Sequence, residues 1–319
     1  MATTKAKNTK KSGAKKNITR ISTSKVETVD TVEAKTTKNK IISKSKAKKV
    51  RFFGRKFDSS ENILTIFKDT KILGALIGEA FGTAVITAVA LTLGLYNPLY
   101  WIFGYTFVTL AVFKLSGANL NPAITIGMLA TRRMSAIRGV LYIIAQIIGA
   151  WIGYMIISAF YNIGVASGNI DGSAVLLPSL EAAKDLTAAT EDFSFFWPVT
   201  MIECLGVFII AFCYARALNY KKNHLTAALT IAGGVFFAMI FAVLINQNFF
   251  YMNGNTFTFN PAISMMFGLF PGSAENFGEL MNALWPMLVS YVVFPAAGGA
   301  LGFYLSDLAS YLKGDELAN

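Results

Sequence analysis

The stretch SGANLNPAITIGMLATRR, Ser116 to Arg133, and the stretch FNPAISMMFGLF, Phe259 to Phe270, each contain the tripeptide Asn-Pro-Ala. Each tripeptide begins an apolar run of about ten residues, which as a helix covers only about 15 Å, half of the hydrocarbon thickness of a bilayer. Proline is favoured at the first position of a helix, and asparagine at the position before it. The two runs are therefore predicted to be half-length helices that begin at Pro122 and Pro261.

The composition of the whole chain predicts a membrane protein. Of the 319 residues, 54% are apolar and 15% are charged, which is too apolar for an ordinary soluble domain. The predicted fold class is an all-α membrane protein with six transmembrane helices plus two re-entrant half-helices in an inverted repeat. Taking about 20 residues as the length that crosses a bilayer, we predict spans at 72–95, 98–115, 137–160, 197–217, 225–247 and 283–308.

The two halves of the chain repeat each other. GEAFG in the first span is echoed by IECLG in the fourth, so that Glu79 and Glu203 each stand three residues before a glycine. An odd number of spans in each repeat inverts the second copy relative to the first. The half-helices are therefore expected to enter from opposite sides and to meet at the midplane. Two positive helix ends at one point favour a neutral, hydrogen-bonding solute and oppose a cation.

The charges between the spans predict the orientation. Basic residues are concentrated in the N-terminal tail and in the loops after the second and fourth spans, whereas the alternate loops, 161–196 and 248–282, are acidic. Because basic loops stay on the cytoplasmic side, both termini are predicted to be cytoplasmic. The expected location is the plasma membrane.

The first 57 residues contain 18 Lys and Arg but only three acidic residues, and few large apolar ones. Such a segment buries too little surface to fold, so 1–57 is predicted to be a disordered basic cytoplasmic tail. A juxtamembrane segment over 58–70, a channel domain over 71–311 and a short cytoplasmic tail over 312–319 complete the predicted organisation. The basic and aromatic run 48–57 favours contact with anionic lipid. No nucleic-acid partner is expected, because no folded reader module accompanies the charge.

The sequence shows no metal-ligand cluster and no nucleophile–base pair, so we expect neither an enzyme nor a metal or other cofactor. Its two cysteines, Cys204 and Cys213, lie in one apolar run. They are predicted to be buried, inert thiols and not a disulfide.

The two Asn-Pro-Ala stretches, the paired Glu79 and Glu203 and the layout of spans resemble the major intrinsic proteins, which are the aquaporins and glycerol facilitators. The resemblance covers about 71–311. It implies a right-handed bundle, a homotetramer with one pore per subunit, and a structural role for the two glutamates in place of proton carriage. Each glutamate would accept hydrogen bonds from the re-entrant loop of its own half. The residues that the resemblance assigns to the pore motifs are Asn121, Pro122, Ala123, Asn260, Pro261 and Ala262.

The sequence departs from the family pattern at the outer constriction. The arginine that usually follows the second Asn-Pro-Ala is replaced by Ile263, and Phe257 stands where glycerol facilitators also have phenylalanine. Loss of the arginine removes a fixed cation that donates to solute oxygens and repels other cations. An apolar, aromatic constriction would suit the carbon backbone of a polyol.

Two further residues are expected to form this constriction, which is the selectivity filter. One comes from the second span and one from the fifth. In the second span, ungapped counting back from Asn121 selects Trp101, whereas alignment of an aromatic-glycine pair selects Phe103. In the fifth span the contributor is expected to be Ile240 or Phe241.

These residues predict a passive channel for small neutral solutes, glycerol-like polyols and water, with an atypical filter that lacks arginine. Two alternatives remain open. The absence of the arginine also fits an ion- or proton-leaky channel, and aromatic crowding fits a closed pore in a membrane scaffold that acts through its basic tail.

Overall fold

The computed structural model describes residues 69–93, 98–169, 193–220, 222–250, 257–266 and 284–313. The predicted tail over 1–57 and the last six residues lie outside these ranges, as do residues 58–68 of the juxtamembrane segment.

The described residues are helical apart from short turns, loops and caps, and six helices are long and apolar enough to cross a membrane. The transmembrane prediction is thereby confirmed, although the third span continues to Ala166 instead of ending at residue 160. A π-helical turn, Asn246–Phe250, extends the fifth span, and another, Val289–Val293, lies within the sixth, Leu284–Lys313. The α-helices are α1 (Thr70–Leu93), α2 (Pro98–Ser116), α3 (Pro122–Ala130), α4 (Ala136–Ala166), α5 (Phe193–Ala217), α6 (His224–Ile245), α7 (Pro261–Met266) and α8 (Phe294–Lys313).

The two short helices, α3 and α7, begin at the prolines of the two Asn-Pro-Ala motifs. Asn121 is the N-cap of α3, with an extended backbone and a side chain that accepts a hydrogen bond from the Ala123 N–H. Asn260 accepts in the same way from the Ala262 N–H. Each asparagine therefore satisfies one of the backbone N–H groups that a helix start leaves without an intrahelical partner.

The helices pack as two equivalent halves. In the first half α1 packs against α2 and α4, and in the second half α5 packs against α6 and α8. The halves join through α2 against α6. Each half-helix also contacts the last span of the opposite half, so that α3 lies against α8 and α7 lies against α4. Because each half-helix packs against a span of the opposite half, both half-helices are held inside the bundle.

Glycine permits the close contact of the first and third spans. A Cβ atom added to Gly149 would collide with the carbonyl oxygen of Ala80, and one added to Gly153 would collide with that of Ala84. The two glycines are four residues apart on α4, and this spacing lets two helix backbones approach closely in a membrane.

The same contact recurs between the fourth and sixth spans. A Cβ atom added to Gly298 or Gly302 of α8 would collide with the carbonyl oxygen of Cys204 or Phe208 on α5. These carbonyls lie one and five residues after Glu203, as Ala80 and Ala84 lie one and five residues after Glu79. The inverted repeat is thus expressed in equivalent backbone contacts.

We predict that Gly149→Ala destabilises the bundle, because its methyl group would meet a backbone oxygen that cannot move without displacing α1. The expected cost is about 1–3 kcal/mol, as for other overpacked sites. Thermal unfolding in detergent, followed by tryptophan fluorescence, would measure it.

Gly74→Ala on α1 is the matched control, because nothing lies within 4 Å of the position of its added Cβ. Alanine is favoured over glycine inside a helix, so this variant should unfold at the wild-type temperature or above. Equal losses in both variants would contradict the role given to the glycine contacts.

Candidate functional site

The tips of the two half-helices are tied together at the centre of the bundle. The Asn121 Nδ2 donates to the carbonyl oxygen of Phe259 at 2.6 Å, and the Asn260 Nδ2 donates to that of Leu120 at 2.9 Å. Each acceptor belongs to the residue that precedes the opposite asparagine. The two halves therefore exchange equivalent hydrogen bonds, and all four residues are buried.

The asparagine amides are held at both ends. Each Oδ1 accepts from the N–H of the alanine two residues later, at 2.9 Å for Ala123 and 3.1 Å for Ala262. Each Nδ2 carries two hydrogens and uses one of them for the tie between the halves. The second hydrogen of each amide is not used in this tie, and it lies at the point where the positive ends of α3 and α7 meet.

The loops that lead into the half-helices have an unusual backbone. Leu120 and Phe259, the residues before the two asparagines, both have φ of 53°. This is the left-handed region, which costs roughly 1–2 kcal/mol for a residue with a Cβ atom. Such a conformation persists only where the surrounding structure holds it.

Glu79 holds the first of these loops. Its carboxyl group accepts from the N–H of Asn119 at 2.9 Å, from the N–H of Leu120 at 2.7 Å and from the Gln146 Nε2 at 2.7 Å. Glu79 has no exposed surface, so these donors replace the water that the carboxyl group would otherwise bind.

Glu203 holds the second loop in the equivalent way. It accepts from the N–H of Thr258 at 2.7 Å and from the N–H of Phe259 at 3.0 Å, and it is fully buried. Both carboxyl groups are therefore engaged by backbone N–H groups of the loop in their own half. This is the arrangement that a structural role requires.

The glycine three residues after each glutamate has a matching function. A Cβ atom at Gly82 would collide with the side chain of Leu120, and one at Gly206 would collide with the ring of Phe259. The repeated Glu-x-x-Gly thus acts as a unit, in which the glutamate fixes the backbone of the strained residue and the glycine makes room for its side chain.

Two polar side chains that support the first loop were missed by the sequence analysis. Gln146 donates to Glu79 and also to the Thr125 hydroxyl at 2.9 Å. The Tyr214 hydroxyl bonds the Asn119 Oδ1 at 2.7 Å and the carbonyl of Gly117 at 2.6 Å. A glutamine in an apolar span was a usable signal, because polar groups within a membrane need a partner.

The predicted filter residues separate into interior and exterior positions. Trp101 and Ile263 are 1% and 0% exposed, and Phe257 is also buried. Phe103 is 62% exposed and shares the outer face of α2 with Phe107. Because residues two apart on a helix point in nearly opposite directions, Trp101 is the buried residue of this pair, and Phe103 lies on the opposite side of α2.

The fifth-span residues Ile240 and Phe241 are half-buried on α6. They lie between Met239 and Ala242, which are fully buried. Neither of the two predicted residues is thus the most enclosed at this level of α6.

Among the residues that the structure describes, no three His, Cys, Asp or Glu side chains lie close enough together to hold a metal ion. Cys204 and Cys213 are free thiols, and each is partly exposed.

We predict that Glu203→Gln destabilises the second re-entrant loop, because one of the two acceptor oxygens becomes an NH₂ group that faces a backbone N–H. An unsatisfied buried donor costs about 1–3 kcal/mol. The expected result is a lower unfolding temperature in detergent.

Asp69→Asn makes the same chemical change at an exposed carboxylate that, among the described residues, accepts from the nearby Lys71 N–H. It should shift the unfolding temperature little. If Glu203→Gln unfolds at the wild-type temperature, the second loop does not depend on that carboxyl group.

The residues of this site lie within the part of the chain that is similar to known proteins. The family model described as Major intrinsic protein matches residues 67–305. Aquaporin-1 of Sus scrofa is 31% identical over 137 residues, which are 41% of this chain and 44% of the relative. Aquaporin PIP1-3/PIP1-4 of Zea mays is 28% identical over 144 residues, which are 44% of each chain. These alignments thus span less than half the length of the relatives.

Among solved structures, the aquaglyceroporin from Plasmodium falciparum aligns with a TM-score of 0.44 and 18% identity. That alignment covers 75% of this chain and 95% of the other.

Proposed function

The chain belongs to the major intrinsic protein family, a family of membrane channels and not of enzymes, and on that premise we propose that it conducts glycerol-like polyols together with water. The observation that carries this proposal is Ile263, which is buried in the first turn of α7 directly after the second Asn-Pro-Ala. An isoleucine there contributes apolar surface and no charge.

The buried aromatic residues fit the same solutes. Trp101 of α2 and Phe257, at the approach to α7, are both enclosed. Aromatic faces pair well with the carbon-bonded hydrogens of a polyol, while its hydroxyl groups need donors and acceptors elsewhere on the path.

One such donor is the Trp101 indole. Its Nε1–H is buried and has no acceptor among the described residues. A buried N–H without a partner is costly in a membrane protein. A passing solute oxygen would relieve that cost, so the indole could supply part of the hydrogen bonding that an arginine usually supplies.

We further propose a homotetramer in the plasma membrane with both termini cytoplasmic. Large apolar side chains on the outer faces of the spans support contact with lipid or with neighbouring subunits; Phe103, Phe107, Trp151 and Phe160 are examples. Contact of the basic tail with anionic lipid also stays a proposal.

We predict that proteoliposomes of the wild-type protein take up glycerol rapidly in stopped-flow light scattering. Ile263→Arg should lower glycerol permeability about ten-fold or more, because the longer, charged side chain narrows an apolar constriction; about 1.4 kcal/mol in the barrier suffices. Water permeability should fall less, since water is smaller.

Ile263→Leu is the matched control and should keep the wild-type solute range, because it preserves volume and polarity. Wild-type vesicles that pass water but not glycerol would contradict the polyol proposal and would assign the limit to the aromatic residues.

The missing arginine also favours a second candidate, an ion- or proton-leaky channel. We expect no such leak, because the positive ends of α3 and α7 meet at the centre of the path and oppose cations. Planar bilayers under a KCl gradient should therefore show no current that reverses at the potassium or proton potential. A reversing current would establish the leak.

A further inference from the structure

Four buried side chains form the interior face of α5. They follow one another at helical spacing, and each is at most 4% exposed: Glu203, Val207, Ile210 and Tyr214. Residues at this spacing share one face of a helix, and Glu203 shows that this face is turned towards the second re-entrant loop. Tyr214 therefore points into the bundle, close to the end of α5 at Ala217.

The corresponding face of α1 ends in a small residue. Its members have the same spacing and are at most 1% exposed: Glu79, Thr83, Ile86 and Ala90. Ala90 is thus the counterpart of Tyr214. Because the second half of the chain is inverted relative to the first, the two residues lie on opposite sides of the junction of the half-helices. A phenol occupies the position on one side, and a methyl group occupies it on the other.

The phenol of Tyr214 is held at both ends. Its hydroxyl oxygen lies 2.6 Å from the carbonyl oxygen of Gly117 and 2.7 Å from the Asn119 Oδ1, so its one hydrogen is shared between two acceptors. Its ring packs against that of Phe303 on α8, with the ring centroids 5.9 Å apart. The side chain therefore has a fixed direction in the interior.

This side chain crosses from one half of the bundle to the other. Within the first half, Glu79 accepts the N–H groups of residues 119 and 120, and the Tyr142 hydroxyl donates to the carbonyl of Ser116. Tyr214 belongs to the second half, and it reaches the same loop from the opposite wall. A helical side chain leans towards the N-terminus of its helix, which turns the phenol back towards the junction.

We propose that Tyr214 forms a second constriction of the permeation path, on the side of the junction where the first re-entrant loop lies, and that it limits the size of the solute. The inference rests on the channel function proposed above. A solute that passes the junction travels along this loop, between the two halves, and the phenol lies across that route. This constriction is separate from the one that contains Ile263, which belongs to the opposite half-helix.

The constriction selects by size and not by charge, because the phenol is neutral. Water is small enough to pass beside the ring. A longer polyol has to move the ring aside, and to do so it breaks the hydrogen bonds of the hydroxyl group to Gly117 and Asn119. Tyr214 therefore slows a long polyol more than it slows water.

The test compares Tyr214→Ala with the wild type in proteoliposomes, with permeabilities to water, glycerol and the five-carbon polyol xylitol measured by stopped-flow light scattering at equal protein density. Alanine is the residue at the corresponding position of the first half. Xylitol permeability should rise about five-fold, the factor that corresponds to one ordinary net hydrogen bond. Glycerol permeability should rise less, and water permeability should change little.

Tyr304→Ala is the matched control. It removes a tyrosine of α8 whose hydroxyl group donates to the carbonyl of Ala130 at 2.8 Å, at the end of α3 that lies away from the junction. Its xylitol-to-water ratio should stay at the wild-type value. Tyr214→Leu is a second variant in case the alanine form reconstitutes poorly. Leucine is too short to span the two halves, so the ratio should rise in this variant as well.

The outcomes separate this inference from the channel function. If the wild type passes glycerol and both Tyr214 variants keep or lower its xylitol-to-water ratio, the constriction at Tyr214 is overturned while the channel function stands. An equal rise for water, glycerol and xylitol overturns it too, because the change then reports a general loosening. If the wild type and every variant behave as empty vesicles, the channel function fails and the inference fails with it. A silent wild type with a conducting Tyr214→Ala supports the constriction and contradicts polyol conduction by the wild type.

Discussion

The whole arrangement depends on satisfying backbone groups where two helices begin inside a membrane. At that depth no bulk water is available, so each N–H at a helix start must find a protein partner. Glu79 and Glu203 accept the N–H groups of the two loops, and Asn121 and Asn260 cap the half-helices and tie them to each other. The bundle around them is built to bring these groups together, and the function follows from what they leave available at the junction.

Much of this could be read from the sequence, because the determining features are local. The two Asn-Pro-Ala motifs place the starts of α3 and α7, and the apolar runs place the six spans to within a few residues. α4 is longer than predicted because the expected span length of about 20 residues ends near residue 160, whereas the helix continues through residues 161–166. The repeated Glu-x-x-Gly pattern could be recognised in the sequence. Its role could not, because that role depends on the contact of each glycine with the residue before the asparagine of its own half.

The features that could not be predicted from the sequence depend on how each helix is rotated about its axis and on contacts between residues far apart in the chain. Counting and alignment could not choose between Trp101 and Phe103, because that choice depends on which face of α2 turns inward. Gln146 and Tyr214 reach residues more than sixty positions away, Glu79 and Asn119 respectively. The hydrophobic periodicity of a single span gives no information about such a distant partner. Through these residues the two repeated halves of the bundle become chemically different.

In the proposed function, neutral polyols cross passively through the junction of the half-helices. Equilibrium exchange of isotopically labelled glycerol across proteoliposomes tests it most directly, because no osmotic or electrical gradient is applied. We expect exchange well above that of empty vesicles, at equal rates inward and outward. Exchange at the rate of empty vesicles, from protein shown to be folded and reconstituted, would contradict it.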